Sequence, residues 1–180
     1  MEKKGLNRID AITAKFMESF GGLSEKDLNW KPDAGTWSIA QNIDHLIQLN
    51  RSYFPIFEKL KKGKQDLPFI ARFGFVVSFF GKMIKKSVEP ERNRKMKTFS
   101  LWEPRKDSFA KSILQDFQAN QEELKGYISD SDDFIHQNMV ISSPANRNIV
   151  YKLETAFDII ITHEERHYNQ AKEILNILPQ

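Results

Sequence analysis

The sequence predicts an all-α protein, a four-helix bundle with a long connection between its second and third helices. Apolar residues recur with a period near 3.6 along four segments, and the alternation typical of strands is almost absent. The connection between the second and third segments is much longer than the others, as in bundles with one crossover. With 180 residues, 40% of them hydrophobic, the chain can bury one core, so residues 1–180 are assigned to a single domain.

The first two helices are predicted from apolar stripes and end signals. The stripe of the first helix consists of Leu6, Ile9, Ile12, Phe16 and Phe20. Two glycines at 21–22 end it, because glycine favours the position that follows a helix. Ser38 and Gln41 have the spacing of a capping box, so the second helix is expected to begin near Ser38 and to carry His45. Pro55 lies inside this helix and should kink it or end it early.

The connection from Gly63 to about Lys106 has a different composition. Its stretch 68–86 is strongly apolar with basic flanks, and a charged run, EPERNRKMK, follows it. We predict an extra apolar helix here that covers the bundle. The alternative interpretation is an interfacial membrane helix or a hydrophobic substrate lid. The uncharged run 73–81 is too short for a membrane span, which needs about 20 residues, so no transmembrane segment is expected.

The last two helices are separated by polar sequence. The third helix is expected from about Asp107 to Ile128, where the acidic sequence SDSDDF ends it. Residues 139–148, MVISSPANRN, are interpreted as a loop. The final helix is expected from about Asn148 to Leu178, because its apolar residues follow a heptad-like spacing.

Two histidines of the final helix, His163 and His167, occupy positions where the pattern otherwise places core residues. They are four residues apart, so their Cβ atoms lie about 5 to 6 Å apart on one helix face and can bind one ion. His45 lies beside the apolar stripe of the second helix and can face the same interior. Three imidazoles from two helices would leave a coordination position open, as in reactive metal sites. His136 has no partner at helical spacing and is expected at the surface.

Two other interpretations of the histidine pair need to be weighed. The first treats both imidazoles as hydrogen-bonded core residues, although burying them without a shared partner is costly. The second follows from HEERH, which matches the zinc-protease pattern H-E-x-x-H. We reject the protease, because few residues follow His167 to supply a downstream ligand and the sequence predicts no strands beside the helix. Pattern alone leaves the metal site and the core interpretation both open.

Composition narrows the partners and the compartment. The net charge of +3 is too weak to indicate nucleic acid. The chain has no cysteine, so any metal would be held by His, Asp or Glu, and a reducing compartment suits it. The N-terminal residues lack the apolar run of a signal peptide. We therefore expect a cytoplasmic protein, and an exposed apolar face makes a homodimer a further expectation.

Two motifs carry a resemblance to a known family. TWSIAQNIDHL, residues 36–46, and HEERHYNQAKEIL, residues 163–175, resemble the DinB superfamily, in particular its YfiT-like branch. The resemblance implies a DinB-like four-helix bundle with one divalent metal ion per chain, held by three histidines. These carry over to His45, His163 and His167. The family includes thiol S-transferases that use low-molecular-weight thiols, a thiol-dependent isomerase and metal-dependent hydrolases.

The resemblance implies a metal-dependent enzyme that transfers a low-molecular-weight thiol to a small electrophilic substrate or hydrolyses a small molecule. Nitrogen ligands suit zinc, nickel, copper or iron, of which we expect zinc or nickel. Glu164 is the candidate general base, or a partner that orients an imidazole. Near the motifs, Trp37 is expected in the core, Tyr168 in helix packing and Arg166 at the surface. The alternative is a non-catalytic binding module, in which the metal is structural and the basic, apolar segment 69–97 binds an anionic partner or a membrane surface.

Overall fold

The computed structural model describes residues 2–90 and 98–179. Within this part of the chain, four long helices form a bundle, another helix lies outside it, and short helices and a hairpin join them. In chain order the elements are α1 Glu2–Phe20, α2 Glu25–Asn29, α3 Ile39–Lys61, α4 Gly74–Val88, α5 Ile113–Ser129, α6 Asp132–His136, β1 Val140–Ser143, β2 Asn146–Lys152 and α7 Leu153–Asn176. Short 3-10 turns at Phe69–Arg72 and Ser100–Trp102 lie in the connection between α3 and α5. The predicted helical bundle with a long connection is confirmed.

The four long helices have a square arrangement. α1 packs against α5 and α7, and α3 packs against the same two helices, so α1 and α3 lie at opposite corners. Two clusters of buried apolar side chains fill the interior. In one, the rings of Phe57 and Phe157 are 5.1 Å apart, and in the other the rings of Phe16 and Phe117 are 4.7 Å apart. Burial of these rings stabilises the contacts between helices by removing apolar area from water.

Helix α3 begins as predicted but does not end early. Ser38 Oγ accepts the backbone N–H of Gln41 at 3.1 Å, and Gln41 Oε1 accepts the backbone N–H of Ser38 at 3.1 Å, which completes the capping box. Pro55 lies inside the helix, which continues to Lys61, so the expected early end is wrong. Pro55 is exposed, so water can satisfy the carbonyl it leaves unpaired, while buried Phe57 keeps the next turn packed.

Residues 139–148, expected as a loop, contain part of an antiparallel hairpin instead. Its register pairs Ile141 with Tyr151 and Ser142 with Val150. The apolar members of these pairs are buried, and β-branched and aromatic side chains suit a half-buried pleated surface. The hairpin was missed because β1 has only four residues, too few for alternation to be read from the sequence.

Two helix starts also differ from the prediction. α7 begins directly after β2 rather than near Asn148, because the hairpin includes the residues that were assigned to its first turn. α5 begins at Ile113 rather than Asp107. The residues before it are held on α2, because Asn29 Nδ2 donates to the Phe109 carbonyl at 2.7 Å and Asn29 Oδ1 accepts the Phe109 N–H at 2.8 Å. These bonds satisfy backbone groups that a helix would otherwise pair.

The connection contains the predicted apolar helix, α4, which packs against α7 and β2. Its inner face includes the buried residues Val77 and Gly81. A Cβ atom on Gly81 would lie 3.2 Å from Thr155 Cγ2 and 3.5 Å from Tyr151 Cβ, so glycine permits this close approach. Across residues 2–90 and 98–179, no helix has both the length and the apolar character that a membrane crossing needs. The basic run at 91–97, part of the predicted binding segment, lies outside the described residues.

Candidate metal centre

His45 lies on the interior face of α3, about two turns after the Ser38 cap. Its ring is buried, and Nδ1 is 2.6 Å from the carbonyl oxygen of Trp102. A carbonyl only accepts, so Nδ1 carries the proton and Nε2 carries the lone pair. Nε2 is also buried and has no hydrogen-bond partner among the described residues. A buried lone pair of this kind costs stability unless something binds it.

His167, on α7, is oriented by an amide from α3. Its Nδ1 is 2.8 Å from Asn42 Oδ1. The orientation of this amide follows from its other end, because Asn42 Nδ2 donates to the Ser38 carbonyl at 2.9 Å. Nδ1 of His167 is therefore the protonated nitrogen, and Nε2 carries the lone pair, as in His45.

His163 completes the group, one helical turn before His167. The two Nε2 atoms are 3.1 Å apart, and the ring centroid of His45 is 5.0 Å from that of His163 and 4.4 Å from that of His167. One nitrogen from each ring lies within 4.8 Å of the other two. The donor set fits a divalent ion, because the tautomers of His45 and His167 leave a lone pair on each Nε2, and the third neutral imidazole, that of His163, lies beside both. The structure therefore contains a three-histidine group that could bind a metal.

Burial keeps these imidazoles neutral. Burial lowers the pKa of His45 to about 4, against smaller opposing effects of the Trp102 carbonyl and Asp44. Burial also lowers the pKa values of His163 and His167 well below 6.5, and the neighbouring imidazole of His45 lowers both further. Neutral imidazole is the form that binds metals, so no proton competes for these lone pairs near pH 7.

The contact between Asp44 and Arg105 holds the connection against α3. Asp44 is fully buried, and its Oδ1 accepts from Arg105 Nη2 at 2.6 Å and from Nε at 3.0 Å. Its Oδ2 accepts the backbone N–H of Arg105 at 2.9 Å. Trp102, three residues earlier, donates from its indole Nε1 to Ser52 Oγ at 2.9 Å. Together these bonds place the Trp102 carbonyl within hydrogen-bond distance of His45 Nδ1.

Trp37 lines the centre and is not a core residue, so that prediction is wrong. Its ring centroid is 5.0 Å from that of His45 and 6.0 Å from that of His167, and it lies within 24° of parallel to His167. Trp37 and His163 are only partly buried, unlike the other two histidines. The ring of Trp37 therefore covers the two buried histidines and keeps part of its own surface exposed.

Glu164 lies next to His163 in sequence but bonds elsewhere. The side chain is fully buried, with Oε1 accepting from Asn50 Nδ2 at 2.9 Å and Oε2 accepting from Gln121 Nε2 at 2.8 Å. Asn50 Nδ2 also donates to Asn120 Oδ1 at 2.9 Å. Burial raises the pKa of Glu164 to about 7, although the two amides lower it in part. The carboxyl group therefore joins α7 to α3 and α5 through a buried polar network.

Other predicted residues differ in their outcome. Tyr168 packs between helices as expected, with its hydroxyl 2.9 Å from Ser19 Oγ. His136 is exposed, as expected, but it does have a partner at helical spacing, because its Nε2 lies 3.3 Å from Asp132. The surface prediction for Arg166 is wrong, because this side chain is partly buried and donates from Nη1 to the Ser87 carbonyl of α4 at 2.9 Å.

Sequence reasoning missed Asn42 and Trp102, the two partners that set the tautomers. Asn42 lies three residues before His45 on the same helix face, so helical spacing could have identified it. Trp102 lies 57 positions from His45 in the long connection, and no local pattern indicates its contact.

The hairpin removes one argument against a zinc protease, namely that the chain has no strands. The other argument stands, since the third histidine comes from α3 and precedes the HEERH motif.

Comparison with known proteins assigns the chain to a family. Residues 8–171 match the family model of the DinB superfamily, and the match includes all three histidines. The chain belongs to the DinB superfamily. A relative in this superfamily is the uncharacterized protein YuaE of Bacillus subtilis (strain 168), which is 30% identical over 156 residues, 85% of this chain and 86% of that protein. No solved structure matches the chain. The DinB-superfamily assignment therefore rests on sequence, while the joining of the three histidines rests on the structure.

Proposed function

We propose that this DinB-superfamily protein is a metal-dependent enzyme acting on a small molecule, with one divalent ion, zinc or nickel, held by His45, His163 and His167. One observation carries the proposal: three neutral imidazoles from two helices lie together, hydrogen bonds set the tautomers of His45 and His167, and His45 Nε2 and His163 Nδ1 are buried without a partner in the described residues. Core histidines that only fill space would pair their buried nitrogens with protein groups.

The proposed reaction is transfer of a low-molecular-weight thiol to a small electrophile, or hydrolysis. A divalent ion held by the three histidines would supply a nucleophile at neutral pH, because it would acidify a bound water or thiol. Because the chain has no cysteine, the sulfur would come from a free thiol that loses its proton. A carbon–sulfur bond would form as the carbon–halogen bond of a haloaromatic breaks, or as the carbon–oxygen bond of an epoxide opens and its oxygen takes up a proton. Resemblance to the YfiT-like branch favours the thiol reaction.

Residues of the chain have separate roles in this proposal. Asn42 and the Trp102 carbonyl orient two ligands, and the ring of Trp37 shields one side of the centre from water. For Glu164 we favour positioning over general-base catalysis, because both carboxylate oxygens already accept hydrogen bonds from amides of α3 and α5. Through these bonds Glu164 would hold the turn of α7 that carries His163 in a fixed position relative to α3 and α5.

Metal analysis tests the centre. Protein purified without a metal-affinity tag should contain about one divalent ion per chain by elemental analysis. The variants His163→Ala and His167→Ala should lose it, because each removes one of three ligands. His136→Ala is the matched control, since this histidine is exposed and outside the group, and it should retain full metal content. Full metal content in the double variant H163A/H167A would disprove the assignment.

Activity assays test the reaction. Metal-loaded protein should join a small thiol to a haloaromatic or an epoxide, or hydrolyse esters or amides without a thiol, and His163→Ala should lose either activity.

Chelation should lower the melting temperature and leave the helical circular dichroism intact, because a bundle core of this size does not need the metal to fold. Equal rates in the unmodified protein and His163→Ala for every substrate would contradict the enzyme proposal. Unfolding of the protein on chelation would indicate that the metal is structural, as in the binding-module alternative. The cytoplasmic location and the homodimer stay predictions.

A further inference from the structure

The outer face of α4 and the turn before it expose an unusual amount of apolar surface. Phe75 and Phe69 are 75% and 66% exposed, respectively. The other exposed members of this face are Phe73, Phe79 and Met83. Folded proteins seldom leave several large apolar side chains together in water unless a partner covers them.

These side chains form one continuous surface. Phe75, Phe79 and Met83 are spaced four residues apart and share one side of α4, while buried Val77 lies on the opposite side. The rings of Phe69 and Phe73 are 5.4 Å apart, and the rings of Phe73 and Phe75 are 6.0 Å apart. The helix therefore lies flat on the bundle with an aromatic face directed outward.

The margin of this face is basic. α4 contains three lysines and no acidic residue, with Glu89 capping its C-terminal end. Lys82, Lys85 and Lys152 line a shallow cavity of about 200 Å³ together with two hydroxyl residues, Ser78 and Thr155. The positive charge and the hydroxyl donors of this cavity suit a phosphate group beside the aromatic face.

The neighbouring carboxylates neutralise only part of the positive charge of the cavity lysines. Lys85 pairs with Asp158, which also binds Arg8, and Lys152 donates to Asn138. Lys82 makes no ion pair with any residue in the described ranges 2–90 and 98–179. The cavity therefore keeps the positive charge of Lys82, which is also exposed on α4 next in sequence to Met83 of the aromatic face.

We propose that α4 is an interfacial helix that binds the protein to an anionic lipid bilayer. The aromatic face would enter the boundary between headgroups and acyl chains, and Lys82 with its neighbours would contact lipid phosphates. A second copy of the chain is the weaker candidate, because a two-fold contact through this face would bring the lysines of both copies together with no acidic residue on α4 to pair with them. This attachment is independent of the proposed metal and adds to the function proposed above.

Vesicle co-sedimentation of the full chain tests the proposal. The protein should bind vesicles of phosphatidylcholine mixed with phosphatidylglycerol, bind pure phosphatidylcholine weakly, and dissociate with added salt. The double variant F75S/F79S should lower the partition coefficient about tenfold or more, and K82Q about fivefold. Ile177→Ser and Lys59→Gln, exposed residues outside α4, are the matched controls and should bind like the unmodified protein.

Two further results separate this proposal from others. The variant H163A/H167A should bind vesicles unchanged, so a failure of the metal proposal does not affect this one. All substituted residues of α4 are exposed, and circular dichroism verifies that the variants fold. Unchanged binding by F75S/F79S would overturn the proposal. The proposal would also be overturned if the protein did not bind vesicles. If it then formed a concentration-dependent dimer that F75S/F79S dissociates, the aromatic face would be assigned to a second copy of the chain.

Discussion

At the scale of single residues, the candidate metal centre depends on groups that bind no metal themselves. His167 presents Nε2 to the centre because Asn42 accepts the proton of Nδ1, and His45 does so because the Trp102 carbonyl accepts its proton. Such outer partners set the tautomer and raise the basicity of the ligand nitrogen. Their loss should therefore weaken metal binding without removing a ligand.

The variant Asn42→Ala tests this expectation. It removes the acceptor for His167 Nδ1, so the ring can rotate or take the other tautomer, and metal affinity should fall about 10- to 100-fold. Competition with a chromophoric chelator measures the change. Asn148→Ala in the hairpin is the control and should leave the affinity unchanged. If N42A binds metal as tightly as the unmodified protein, Asn42 does not orient the ligand.

At the scale of elements, one ion pair between a buried carboxylate and a half-exposed arginine holds the long connection against α3. Asp44 has no exposed side-chain surface, whereas the Arg105 side chain is 50% exposed. The two single substitutions should therefore differ. Removing the arginine leaves a buried carboxylate without its counter-ion, while removing the carboxylate leaves a guanidinium that water can solvate.

We predict that Arg105→Ala lowers the free energy of unfolding by about 2 kcal/mol, and that Asp44→Asn lowers it by less. The double variant D44N/R105A should be more stable than R105A alone, since it no longer buries an unpaired charge. Urea unfolding of the four proteins measures this cycle. Lys61→Ala, which breaks an exposed pair with Asp130, is the control and should change stability by less than about 1 kcal/mol. Additive losses in the double variant would contradict the argument.

The hairpin and α3 meet at a second buried polar contact. The hydroxyl oxygens of Tyr53 and Tyr151 are 2.7 Å apart, and both side chains are buried. Burial raises the pKa of Tyr151, and it raises the pKa of Tyr53 well above 10, with Tyr151 raising it further. The contact thus favours the neutral form of both phenols in the folded protein.

At the scale of the whole molecule, this pair predicts a loss of stability in alkali. Above pH 10 the unfolded chain releases the two phenolic protons while the folded protein retains them, so the free energy of unfolding falls as pH rises. The decrease is about 1.4 kcal/mol per pH unit for each tyrosine between its unfolded and folded pKa values. Urea unfolding at several pH values measures it. The variant Y53F/Y151F should lose this part of the slope, and an unchanged slope would contradict the assignment.

Much of the fold was predictable because helices are local structures. The spacing of Leu6 to Phe20, the capping box at Ser38 and the apolar run of α4 each depend on residues within a few turns of one another. The same locality predicted that His163 and His167 share a helix face. Local patterns did not predict short or exceptional features, such as the four-residue strand β1 and the continuation of α3 past Pro55.

The sequence by itself determined the helices, the histidine pair and the family, since these follow from spacing along one segment and from short motifs. The tertiary structure alone decided how the helices meet. It places His45 beside the pair, the Trp102 carbonyl against His45 Nδ1, and Glu164 within a network of amides. Asn42 and His167 are 125 positions apart in sequence, so their contact depends on packing across the whole core. The rise of a helix sets the distance between neighbouring turns, whereas the distance between two helices is set by every side chain between them.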